Sequence, residues 1–137
     1  MKLTSIAAIV GAALILAGTP AQAHHAFAAE FDAKKPVHLE GVISKVELIN
    51  PHAWIHVDVT GGDGKVTTWM IEAGSPNVLL RRGINKNTIV KGTRVKVEGY
   101  QSKDGSMRAN GRDIVLPDGK KLFLGSSGTG APYDEKK

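Results

Sequence analysis

Five runs of β-branched and alternating residues, with a single helix start set between the third and the fourth, constrain this chain more than any other feature. Val42, Ser44, Val46 and Leu48 alternate with Ile43, Lys45, Glu47 and Ile49, and Asn50-Pro51 ends the run. Trp54, His56 and Asp58 then alternate with Ile55, Val57 and Val59. The turn Gly61-Gly62-Asp63-Gly64 leads into a third run, Lys65 to Ala73, and so short a loop predicts antiparallel pairing with the second. Ser75-Pro76 reads as an N-cap followed by proline at the first helical position. Asn77 to Arg82 is expected to make about two helical turns, stopped at Gly83. Thr93 to Tyr100 is the fourth strand, with Val95 and Val97 inward, and Met107 to Leu116 is the fifth. Asp118-Gly119 turns the chain back into Lys120 to Leu124 as a terminal hairpin arm.

Strand, strand, strand, helix, strand, strand is the order of the five-stranded Greek-key barrel known as the OB-fold. The expected fold is therefore all-β with one short helix, a small OB-like barrel over residues 38–125, with a β-sandwich as the alternative. Glycines 41, 99 and 111 suit the bends of a small barrel. Residues 24–37 read as an arm leading into the domain, with Phe27 and Phe31 as two anchors pinning it down. The tail, residues 126–137, is rich in Gly and Ser before it ends in charges, and is expected to be disordered.

Residues 1–23 read as a secretory signal peptide. Lys2 precedes an apolar run from Ile6 to Ala17, a Thr19-Pro20 breaker follows, and Ala21-Gln22-Ala23 is a small-x-small cleavage pattern. That apolar run is shorter than the roughly 20 residues a membrane span needs. The mature chain is thus expected to begin at His24, in the periplasm or secreted, without a transmembrane segment and as a monomer. Losing Lys2 leaves 17 of the 18 basic residues against 13 acidic ones, a net charge of +4 with neutral histidines. Such a mild excess is not the dense basic stripe of a nucleic-acid binder. The chain has no cysteine, which excludes disulfide staples, thiol catalysis and thiolate metal sites.

Two groups of residues carry candidate chemistry. Cleavage after Ala23 would leave His24 offering its α-amine and ring nitrogen, with His25 next to it; that nitrogen set suits copper or another divalent metal. The second group lies on the second strand and its rim. On a regular strand His52 and His56 share a face but stand about 13 Å apart, too far to chelate one ion. What remains is a surface row of His52, Trp54, His56 and Asp58. Trp54 either packs into the core or edge, as most large aromatics do, or stands out as a stacking platform. Arg81 and Arg82 put positive charge at the negative end of the short helix, and Ser75 is better explained as a cap than as a nucleophile. Glu72, Asp58 and Glu98 fall in strands without an evident partner. No phosphate loop, serine elbow or paired-carboxylate motif is present.

His24-His25-Ala26-Phe27-Ala28-Ala29-Glu30-Phe31-Asp32, Asn50-Pro51-His52-Ala53-Trp54, and Gly74-Ser75-Pro76-Asn77-Val78-Leu79-Leu80-Arg81-Arg82-Gly83 together resemble the bacterial family labelled domain of unknown function 6152. The resemblance covers about His24 to Gly125. It implies an exported small β-barrel and supplies no activity or catalytic residue. A serine is common in that family where Ala26 stands, so one polar group is missing near this terminus.

The expectation is a non-catalytic binding module using His52, Trp54, His56, Ser75, Asn77, Arg81 and Arg82 toward a small molecule, a saccharide or a protein. The rival expectations are a copper or other divalent-metal protein built on His24 and His25, and an accessory subunit of a periplasmic or membrane enzyme. An enzyme in its own right is least expected, because no nucleophile, base and oxyanion site can be assembled.

Overall fold

The computed structural model describes residues 26–126 and 128–134. The expected signal peptide, and His24 and His25, lie outside the described residues. A short helix, α1 (Ala26–Glu30), opens the domain. It runs directly into β1 (Phe31–Glu47), a strand of 17 residues. β2 (Trp54–Thr60), β3 (Val66–Glu72), α2 (Pro76–Arg81), β4 (Arg94–Ser102), β5 (Arg108–Val115) and β6 (Lys121–Phe123) follow. Among the described residues no helix is long and apolar enough to cross a membrane.

The strands form one sheet in the order β3-β2-β1-β4-β5-β6, with a further pairing of β3 to β5. That pairing bends the sheet round into a barrel-like ring, and the all-β, OB-like expectation holds. The length of β1 lets one strand serve two neighbours. Phe31 to Val42 pair with β4, and Val42 to Glu47 pair with β2 across a bulge between Ile43 and Lys45. The ring is unevenly closed, because β5 divides its second edge. Its first half meets β3 in parallel through Met70↔Arg108, Ile71↔Ala109 and Glu72↔Asn110. Its second half pairs with β6 through Asp113↔Phe123 to Val115↔Lys121.

Alternation places the core. Ile55 and Val57 of β2, Ile71 of β3, Val95 and Val97 of β4 and Ile114 of β5 are all buried, and Leu79 of α2 closes one end with Ile84 and Ile89. Each such branched side chain contributes about 1.5–3 kcal/mol on leaving water. Gly99 marks a place where β4 and β5 press together: a Cβ there would lie 2.1 Å from the Asn110 carbonyl oxygen. α2 is short but well begun, since Ser75 has extended backbone and accepts from the Val78 amide with Pro76 in the first turn.

Two segments differ from expectation. Residues 31–37 are part of β1: Phe31 pairs with Ser102, Pro36 with Tyr100 and Val37 with Gly99 of β4, and the register shifts across the bulged residues between Phe31 and Pro36. α1 is a second helix where one was expected. Within the tail, residues 128–134 are described and form a turn beside α1. Ala131 is buried with Phe27 and Phe31 in a second small cluster, edged by Tyr100 and Tyr133. Asp134 caps its own turn by accepting from the Thr129 and Gly130 amides. Phe27 and Phe31 are therefore anchors, as the sequence suggests, but into this flanking cluster. Their rings stand 5.8 Å apart, and Phe27 meets Tyr100 edge-on at 5.6 Å.

Candidate functional site

α1 and the tail cover one end of the barrel beside the β3–β5 closure. Beneath them lies a pocket of about 80 Å³ lined by His52, Glu72, Asn110, Glu30, Phe31 and Thr129 among others. Among the described residues, larger hollows of about 410, 450 and 300 Å³ are surface grooves around Arg94 and Leu116, around Lys45 and Val90, and around Asp58 and Thr60. None of them brings a histidine to a carboxylate, so the chemistry concentrates in the smaller pocket.

Each polar side chain in this pocket arrives by a different route. His52 sits in the β1–β2 connection, ahead of the first paired residue of β2. Ala53 behind it is fixed by two backbone bonds, donating to Gly74 O at 3.0 Å and accepting from Ala73 N at 2.8 Å. Glu72 ends β3, and Asn110 faces it across the parallel pairing. His52 Nδ1 stands 3.8 Å from Glu72 Oε1. That is beyond hydrogen-bonding range, and the buried Nδ1 has no hydrogen-bond partner. Burial pushes the Glu72 carboxyl up, and Glu30 adds to the rise; His52, Arg108 and a bond from Asn110 pull the other way.

Asn110 is a polar residue buried at 6 % exposure, and the tail explains it. Tyr133 donates its hydroxyl to Asn110 Oδ1 at 2.9 Å, and Asn110 stands opposite Glu72. Arg108 lies alongside, 3.5 Å from Glu30 Oε2, with its guanidinium 5.7 Å from the centre of the Phe31 ring. Glu30 and Glu72 against Arg108 leave one excess negative formal charge around His52.

The structure separates the residues that the sequence grouped. His56 is held on the outer face, its Nε2 2.7 Å from Glu47 Oε2, where Lys45 and then His56 lower the Glu47 carboxyl. His52 and His56 thus face different glutamates. Trp54 is half-buried on that outer face, opposite Glu47 and Glu72, outside the barrel core. Ser75 caps α2, Asn77 is exposed, and its carbonyl accepts from Arg81 Nε at 3.3 Å. Arg82 turns away from Arg81. Its guanidinium lies 4.6 Å over the Phe123 ring and donates to the carbonyls of Phe123 and Gly125, closing the helix against the last strand. Burial lowers the Arg82 pKa. Of the expected site residues among those described, only His52 lines the pocket; Glu72, Asn110 and Glu30 line it too, with Arg108 and Tyr133 behind them as partners of Glu30 and Asn110. The described residues contain no group of three or more histidine and acidic side chains able to hold a metal by themselves.

The model of a family of unknown function, DUF6152, matches residues 12–111, and the chain belongs to that family. No curated protein and no solved structure matches the chain.

Proposed function

We propose that this DUF6152 protein is an exported, non-catalytic binding module whose ligand enters the pocket between α1, the His52 connection and the β3–β5 closure. One observation carries the reading: His52 Nδ1 is buried without a hydrogen-bond partner, facing a carboxylate it does not bond. A buried ring nitrogen left unpaired costs about 1–3 kcal/mol, which a ligand bonding it returns. The pocket's size narrows the class. Sites for drug-sized molecules occupy about 300–1,000 Å³. At about 80 Å³ this one suits an ion or a ligand of a few atoms better than a saccharide ring. Export is supported by the signal-like pattern of residues 1–23, ending in Ala21-Gln22-Ala23.

Thermal stability with and without small ligands tests the reading. Purified protein is challenged with divalent cations, ammonium, formate, acetate and simple sugars, beside a His52→Ala variant. A rise in Tm with at least one small ligand, absent in His52→Ala, supports it. No rise with any of them, or equal rises in both proteins, overturns it.

A copper site at the mature amino end is the second reading, and Ala26 favours it. The first described residue lines the same pocket, so a chain processed after Ala23 would carry His24 and His25 within two residues of it. Cu(II) titration of protein starting at His24, followed by its visible d–d band, tests this. Full binding by protein with residues added ahead of His24 would remove the terminal amine from the account.

A further inference from the structure

We infer that the pocket is a divalent transition-metal site in which His52 Nδ1 and Glu72 Oε1 are the two ligands supplied by the barrel. The inference rests on the pocket being the ligand site, and it names the class of ligand. Four observations converge on it.

The first is geometric. Ligand bonds of about 2.0–2.2 Å are usual for imidazole and carboxylate on such ions. An ion placed that far from two atoms 3.8 Å apart subtends an angle of about 120–145° between them, within reach of a tetrahedral or five-coordinate arrangement after a few tenths of an ångström of side-chain motion. The same separation is too long for a hydrogen bond, so the two groups face each other across a gap that a bridging ion fills.

The second is the state of the donors. The imidazole nitrogen facing the gap carries no other bond. The carboxylate is largely buried, with a side-chain exposure of 13 %. A carboxylate in that setting gains from a cation that replaces the water it lost.

The third is the support behind the ligand. Metal-binding carboxylates are usually oriented by outer hydrogen bonds. Asn110 stands opposite Glu72 in the parallel β3–β5 pairing and is itself fixed by the Tyr133 hydroxyl at 2.9 Å, so a held amide flanks the carboxylate from outside β3. The fourth is charge and space. The surroundings carry one excess negative charge, and about 80 Å³ holds an ion with one or two waters, since water's share of liquid volume is about 30 Å³.

The remaining coordination positions belong to water, and donation by a terminal amine is the alternative outcome that the arms of the test separate. Isothermal titration with Zn(II) and Cu(II) at pH 7, in a buffer that does not bind metal, compares five proteins. They are the protein beginning at His24, its His52→Asn, Glu72→Gln and His56→Gln variants, and a form with one residue added ahead of His24. Circular dichroism and Tm show that each is folded. The expected result is a single site whose affinity falls about tenfold or more in both His52→Asn and Glu72→Gln, and is unchanged in His56→Gln. Ligand binding by an imidazole and a carboxylate also releases protons, so affinity rises with pH. With both losses established, a further loss in the extended form puts the α-amine in the coordination sphere, and an unchanged affinity gives that place to water. Wild-type affinity in folded His52→Asn and Glu72→Gln overturns the assignment, because the metal then sits at the amino end alone. Absence of any binding to the starting protein also overturns it, and leaves the pocket itself to be judged by its small-molecule panel.

Discussion

Tyr133 donates its hydroxyl to Asn110 Oδ1 at 2.9 Å, fastening the last described turn of the chain to the strand that closes the barrel. The bond ties the tail to β5, at the residue that pairs with Glu72 at the end of β3. Burial pushes the Tyr133 phenol up to about 12. Tyr133→Phe keeps the ring, with its edge contact to Phe123 at 5.2 Å, and removes only the bond. It leaves Asn110 Oδ1 buried and unpaired, a loss of about 1–2 kcal/mol in urea unfolding. The sign in alkali follows from the raised pKa. The unfolded phenol ionises near 10 and the folded one near 12, so stability is fully present below 10 and is lost as pH rises through about 12. The expected outcome is a wild-type stability that falls over this window and a flatter profile in Tyr133→Phe.

Arg81 and Arg82 are adjacent in sequence and unlike in structure. Arg81 is exposed and bonds only its own helix, whereas Arg82 spans from α2 to the carbonyls after β6 and stacks on Phe123. Arg82→Ala removes a charged donor from two carbonyls and a cation from a ring, which predicts a loss of about 1–2 kcal/mol. Arg81→Ala is predicted to stay within about 0.5 kcal/mol, as for most exposed substitutions. Urea midpoints of the two single variants check the contrast; equal losses would mean that the Arg82 contacts are not formed in solution.

Barrel closure depends on Gly99. Alanine there would place a Cβ 2.1 Å from the Asn110 carbonyl oxygen, a contact that backbone alone can relieve. Gly99→Ala is predicted to cost about 3 kcal/mol or more, or to leave the protein insoluble. It would also displace Asn110, and with it the support of Glu72. Gly62, in the β2–β3 turn, has nothing within 4 Å of its would-be Cβ. Gly62→Ala is the control, expected within about 0.5 kcal/mol of the parent.

The sequence made strands legible where side chains alternate, and made the site illegible where contacts come from far apart. Ile55, Val57, Val95 and Val97 announce their faces because each lies in a regular period of two. Ser75-Pro76 announces α2 because an N-cap and its proline are adjacent. By contrast Asp32-Ala33-Lys34-Lys35 shows no period, yet lies within β1 as a bulge between the Phe31↔Ser102 and Pro36↔Tyr100 pairs, whose placement depends on the partner strand. Glu72 meets Asn110 only through the parallel β3–β5 contact. Nothing local in either strand encodes that register. One signal was available: a glutamate ending the apolar run Trp69-Met70-Ile71 is a carboxylate carried toward a core, and such a residue needs a partner. The row of His52, Trp54 and His56 failed to hold together because His52 precedes the strand and turns to the barrel end, while His56 stays on the outer face with Glu47.

Glu72 offers the clearest pH signature of the pocket. Its carboxyl is raised, chiefly by burial, so the protonated form is favoured in the folded state relative to the unfolded chain. Stability from this group is therefore fully present below the ordinary carboxylate value of 4.5 and declines as pH rises through the elevated folded value. Glu72→Gln replaces the carboxylate with a neutral group of the same shape. The metal-free variant is predicted to melt higher than the parent at pH 7, with the advantage shrinking toward pH 4 as the parent's carboxyl takes up its proton. Melting curves in the presence of a chelator, from pH 4 to pH 8, measure this. A variant that melts lower than the parent at pH 7 would show that His52 and Arg108 more than offset the burial of the charge, making Glu72 a stabilising ion-pair partner in the empty pocket.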